Sequence, residues 1–113
     1  MVEVVGTDEF SEWFQDLDDS DTDAVARVVD MLEQMGTSLP FPYSSAIKGA
    51  SIALRELRIQ SAGHPLRVFY AFDPSRQAVL LLGGDKTGDK RFYETMVPLS
   101  EKIWFQYLKE TGR

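Results

Sequence analysis

The sequence predicts a single α+β domain, residues 1–113, in the order β-α-α-β-β-β-α, with helices packed on one face of a small antiparallel-rich sheet. Three observations predict it. Residues 8–35 place apolar side chains at helical spacing twice in succession. Residues 53–82 contain three runs of strand character joined by short turns, which implies an antiparallel meander. Residues 94–110 return to helical spacing. At 113 residues the chain buries about two thirds of its unfolded surface, enough for one core without staples.

The elements follow in order. Val2, Val4 and Val5 are β-branched and Gly6 closes the run, a short strand over 2–6. Thr7 or Asp8 caps the next helix, and Asp8 and Glu9 sit in its first turn, where the helix dipole favours acids. Phe10, Trp13, Phe14 and Leu17 form its apolar face. Asp18-Asp19 breaks the helix, and Ser20-Asp21-Thr22-Asp23 reads as a capping-box variant. Ala24, Val25, Val28, Val29, Leu32 and Met35 continue at helical spacing until Gly36 stops them. Two helices around a tight acidic turn make an αα-hairpin.

Pro40 and Pro42 mark residues 37–46 as a loop. Residues 53–60 then alternate Leu57 and Ile59 with Glu56 and Arg58, one face core and the other charged. A turn over Ser61-Ala62-Gly63-His64-Pro65 leads into residues 66–72, apolar on both faces except at Arg67. A second turn, Asp73-Pro74-Ser75-Arg76, leads into residues 77–82, another central strand. Residues 85–93 are polar and basic. Pro98 either starts a new helix at its first turn or kinks one that begins near Asp89.

Composition excludes several classes of function. There is no cysteine, hence no disulfide framework, thiol nucleophile or thiolate metal site. Apolar runs such as Ala78–Leu82 fall far short of the ~20 residues that span a bilayer. Met1–Val5 lacks the basic region and apolar core of a signal peptide, so a cytoplasmic location with no membrane partner is the expectation. The net charge of −6 is unevenly spread. Residues 1–40 hold eleven acids and one base, Arg27; residues 41–113 hold eleven bases and seven acids. A polyanion is repelled by the first part and tolerated by the second.

Chemistry concentrates on the charged face of the meander. Glu56 and Arg58, Arg67, and the later Asp85, Lys86, Asp89, Lys90, Arg91 and Tyr93 converge if their strands are neighbours. Such a group has cations for phosphate, a carboxylate or phenol for proton transfer, and aromatics to stack a base. The spacing alone favours a plain structural pair, a buried Arg67 neutralised by Glu56 amid solvated surface. Asp85-Lys86-Thr87-Gly88-Asp89 is similar to the aspartyl-phosphate motif of P-type ion pumps, but Asp89 stands where that motif ends in Thr. Gly83-Gly84 with Lys86-Thr87 lacks the spacing of a P-loop. His64 is the one histidine, in a Gly-His-Pro turn, and no metal or cofactor site is expected.

Leu54-Arg55-Glu56-Leu57-Arg58-Ile59, Leu66-Arg67-Val68-Phe69-Tyr70-Ala71-Phe72, Val79-Leu80-Leu81-Leu82-Gly83-Gly84-Asp85-Lys86 and Arg91-Phe92-Tyr93-Glu94 together resemble the RelE superfamily of toxins, in its phage-derived, HigB-like branch. The resemblance implies a RelE-like fold and a toxin of a type II toxin–antitoxin system. It implies a ribosome-dependent mRNA endoribonuclease in which a 2′-hydroxyl attacks the adjacent phosphate without a metal. The implied partners are a helix-turn-helix antitoxin, the ribosome and mRNA. By the same resemblance Arg67 and Lys86 are phosphate-binding positions, and Tyr93 stacks on a base or moves a proton. Glu56 is either the base for the 2′-hydroxyl or the residue that aligns Arg67. Arg58, Lys90 and Arg91 are the expected RNA-binding cations. The alternative is a catalytically weak or inactive protein-binding module of the same fold.

Overall fold

A computed structural model describes residues 1–112. Strand β1 (Val4–Gly6) is followed by α1 (Asp8–Gln15), α2 (Asp19–Met35) and a single 3-10 turn over Gly36–Ser38. The strands β2 (Ser44–Ala46), β3 (Arg55–Ser61), β4 (His64–Phe72) and β5 (Ala78–Asp85) lead to α3 (Phe92–Thr111). The five strands lie in the order β1-β5-β4-β3-β2. Every pairing is antiparallel except β1 with β5. The α+β class, the hairpin, the meander and the terminal helix are those read from the sequence. Among the described residues no helix is long and apolar enough to cross a membrane.

Packing on one face of the sheet is corrected. The helical hairpin and α3 lie on opposite faces, and each covers its own core. Phe10, Val25, Val28 and Leu32 pack with Leu57, Ile59, Leu66, Val68 and Tyr70. Phe92, Ile103 and Trp104 pack with Phe69, Ala71, Val79 and Leu81. The cause is the two-sided apolarity of β4 and β5: a strand with apolar residues on both faces needs cover on both.

Local corrections have simple origins. The loop 37–46 contains β2, a three-residue edge strand whose Ser44, Ser45 and Ala46 pair with Leu57, Glu56 and Arg55. So short an edge leaves no period to read. Helix α2 is capped by Asp18, which accepts from the Asp21 amide at 2.8 Å, rather than by Ser20. His64 opens β4 instead of lying in the turn, because Ala62 and Gly63 both have positive φ and close the hairpin in two residues. Pro98 lies inside α3, which runs continuously from Phe92.

An irregularity in β5 sets up the site. Phe69 pairs with Leu82 and Tyr70 with Leu80, leaving Leu81 as the extra residue of a bulge. Beyond it Gly83 lies under Trp13 of α1, and Gly84 lies under Phe92 and Met96 of α3. Helices on both faces thus approach the strand where side chains are absent, and α3 comes down close to β4.

Candidate functional site

The antiparallel register of β3 and β4 places Arg58 across from Arg67 and Glu56 across from Phe69. Glu56 and Arg67 are therefore diagonal neighbours on the α3 side of the sheet. Both are buried, each 4% exposed. A charge so enclosed needs a partner, and each has one: Arg67 Nε lies 3.4 Å from Glu56 Oε1. Arg67 Nη1 also donates to the Leu66 carbonyl at 3.0 Å, which fixes the guanidinium. Arg58 reaches the other oxygen, with Nη1 3.4 Å from Glu56 Oε2.

Helix α3 supplies the third member. Tyr93 stands in its first turn, where the helix meets the sheet at Gly84. The phenol donates to Glu56 Oε1 at 2.6 Å and accepts from Arg67 Nε at 3.4 Å. Its ring meets Phe69 and Phe92 edge-on, so its position is set by packing as well. Burial pushes the Tyr93 hydroxyl above the ordinary phenol range, and the bond to Glu56 adds to this, while Arg67 partly offsets it. The phenol is thus a neutral donor throughout the physiological range. A raised pKa stabilises the fold below the unfolded phenol value and loses that contribution as pH rises through the folded value. In an alkaline titration at 295 nm, the difference between wild type and Tyr93→Phe should appear above pH ~10. A difference spectrum complete at or below that value would contradict this environment.

Lys86 stands over the phenol ring, its Nζ 5.7 Å from the ring centroid. Its amide is held by the Pro65 carbonyl at 2.9 Å. Next to it, Asp85 accepts from the Thr87 hydroxyl and amide and is held below the usual carboxylate range, those two bonds being the main cause. Glu56 and Tyr93 open onto a groove of about 530 Å³ also bordered by Lys48, Glu94 and Glu101.

Of the residues singled out from the sequence, Glu56, Arg58, Arg67, Tyr93 and Lys86 come together. Among the described residues Lys90 and Arg91 form no ion pair with this cluster. Both are exposed in the turn before α3, and neither pairs with an acid among the described residues. His64 is outside the cluster, half exposed, with Nδ1 3.2 Å from Asp85 Oδ2. Among the described residues no three His, Cys, Asp or Glu side chains gather as metal ligands would. Two residues near the site escape the sequence reading. Lys48 borders the groove, and Phe41 lies against Arg58, whose Cζ is 5.4 Å from its ring centroid. Loop residues carry no period; the one cue was an aromatic between two prolines, Pro40-Phe41-Pro42.

Comparison with known proteins places the chain in a family. Residues 12–104 match the family described as Phage derived protein Gp49-like (DUF891). The chain is 38% identical over 92 residues to the putative toxin HigB3 of Mycobacterium tuberculosis, covering 80% of this chain and 79% of that protein. It is 29% identical over 103 residues to the putative toxin HigB2 of the same organism, covering 88% of this chain and 51% of that longer protein. Among solved structures it superposes on a free double arginine-to-alanine mutant of the E. coli toxin RelE with a TM-score of 0.60. That match covers 84% of this chain and 94% of the other at 7% identity, a likeness of fold alone. With a family match over residues 12–104 and a putative HigB toxin 38% identical over four fifths of both chains, the chain belongs to the phage-derived Gp49-like family, alongside HigB-like toxins.

Proposed function

We propose that the protein is the toxin of a toxin–antitoxin pair and cuts mRNA on the ribosome. The observation that carries this reading is the clustering of Glu56, Arg67 and Tyr93, with Arg58 and Lys86 beside them. One carboxylate among three cations leaves an excess of positive charge, which suits a phosphate. In the proposed reaction the 2′-hydroxyl loses its proton to Glu56 and attacks the adjacent phosphorus. The bond to the 5′-oxygen breaks, and Tyr93 supplies the proton to that leaving oxygen. The products are a 2′,3′-cyclic phosphate and a 5′-hydroxyl. Arg67 and Lys86 stabilise the phosphorane, whose added negative charge they hold more strongly than the ground state. No step is routed through a metal. The partners in this reading are the ribosome, mRNA and a helix-turn-helix antitoxin, all in the cytoplasm.

The second reading is a binding module without cleavage, and the tight enclosure of Glu56 and Arg67 favours it, since a sealed pair also serves structure alone. RNA 5′-end mapping in a translating extract separates the two. Wild type should generate new 5′-hydroxyl ends; uncut mRNA would leave the binding module. Tyr93→Phe keeps the ring and deletes the proton. Losing general acid catalysis should cost about 10²–10⁴-fold in kcat. If Phe retains the activity and Ala loses it, the ring acts by stacking instead. His64→Ala should be nearly silent, its exposed pair with Asp85 contributing at most about 1 kcal/mol.

A further inference from the structure

A second groove, of about 500 Å³, runs beside β3 on the side of α2. Its lining includes Arg27, Arg58 and Arg67, the aromatic Tyr43 and the apolar Met31, and no acid. Arg27 is the one base among residues 1–40, and it borders this groove from a helix that is otherwise strongly acidic. Arg58 and Arg67 also pair with Glu56, so these two residues border both the groove and the cluster described above. At the junction Arg58 spans two contacts, Glu56 at 3.4 Å and the face of Phe41 at 5.4 Å. Phe41 is 70% exposed although its neighbours Leu39 and Ser44 are buried.

We propose that this groove carries the single-stranded RNA flanking the Glu56–Arg67–Tyr93 cluster, with Arg27 on a backbone phosphate and Phe41 stacking a base. The inference rests on reading that cluster as an RNA site. Arg27, exposed, and Arg58, a third exposed, offer two guanidiniums to a polyanion along a groove lined by no acid, while Arg67 stays buried against Glu56. An exposed aromatic already backed by a guanidinium is a stacking platform that accepts any base, since every base has a π-face. The acidic remainder of α2 then acts as a kerb, repelling phosphate everywhere along the helix except at Arg27.

The test is fluorescence anisotropy of a labelled 12-nucleotide single-stranded RNA, 2′-O-methylated so that it is not cut, titrated with the full chain over a salt series. Arg27→Ala should weaken binding and reduce the slope of log K against log salt by about 0.7, the signature of one lost phosphate contact. Phe41→Ala should weaken binding about fivefold to a hundredfold with the slope unchanged, and Phe41→Tyr should restore it. Both side chains are exposed, so both variants should fold; circular dichroism checks this. Lys109→Ala, in the last turn of α3, is the control and should bind as wild type. Absence of RNA binding by wild type, or binding that neither variant alters, overturns the proposal and leaves the groove to a protein partner. A wild type that binds RNA with these variant effects yet never cuts mRNA supports the groove and sinks the cleavage reading instead.

Discussion

Arg67→Ala should lower mRNA cleavage about 10²–10³-fold, the loss seen when one donor to a developing oxyanion is removed. The fall should lie mainly in kcat, because the contact strengthens as charge builds on the phosphorane. The same substitution removes one of the two guanidiniums that pair with a buried carboxylate. Breaking a buried pair costs about 3–5 kcal/mol, but Glu56 keeps Arg58 and the Tyr93 hydroxyl, so the lower end applies. The two effects must be separated. Cleavage is therefore measured well below the variant's melting temperature, with a circular dichroism spectrum to verify the fold. Glu56→Gln, which keeps the shape and the Tyr93 contact but loses the charge, is the companion variant. Cleavage by folded Arg67→Ala within about threefold of wild type would remove Arg67 from the reaction and leave it a structural residue.

Gly83→Ala should be among the most destabilising single-methyl additions in the chain. A Cβ there would lie 2.1, 2.3 and 2.4 Å from three indole carbons of Trp13. The indole is a rigid plate packed against the core, so either α1 or β5 has to move. Overpacking of this kind costs about 1–3 kcal/mol and sometimes more. For a domain of this size that is roughly a 5–15 °C fall in Tm. Gly84→Ala makes the useful comparison. Its Cβ would meet the Met96 methyl at 2.9 Å and Phe92 at 2.9 Å, and a methionine tip yields where an indole cannot. Scanning calorimetry should place Gly83→Ala below Gly84→Ala. The reverse order would mean that α1 is loosely seated on the sheet.

Much of this architecture is legible in the residues themselves, and the remainder fails for identifiable reasons. The amphipathic spacing of Val25, Val28 and Leu32 announces α2, and the alternation around Leu57 and Ile59 announces β3, because one period holds over several residues. Which face of the sheet a helix covers is a different kind of question, since a helical period identifies the helix's own apolar stripe and not its destination. The clue lay in β4, where Leu66, Val68 and Tyr70 alternate with Phe69 and Ala71, both sets apolar. Strand β2 is too short for any period and is held by its neighbour. At the site, Arg67 declares itself as a lone charge in an apolar run, and Glu56 is its natural partner. Tyr93 does not, since nothing local says that the first turn of α3 meets the sheet over Gly84. Only its place in the polar segment after β5 and the family resemblance point to it. Phe41 and Lys48, on irregular loops, have no periodic signature at all.

The parallel pairing of β1 with β5 bears on the order of assembly during synthesis. Thr7, at the end of β1, bonds to the Leu81 carbonyl across 74 residues of chain. Until that later strand has been made, β1 has no neighbour and the apolar stripes of α1 and α2 have little sheet to cover. Such long-range closure is slow and leaves apolar surface open to other chains in the interval. Tyr93 emerges later still, after both of the strands that hold Glu56 and Arg67. A nascent chain therefore carries the two charged members of the cluster before the phenol that joins them, and the complete triad exists only in a molecule whose last helix has docked.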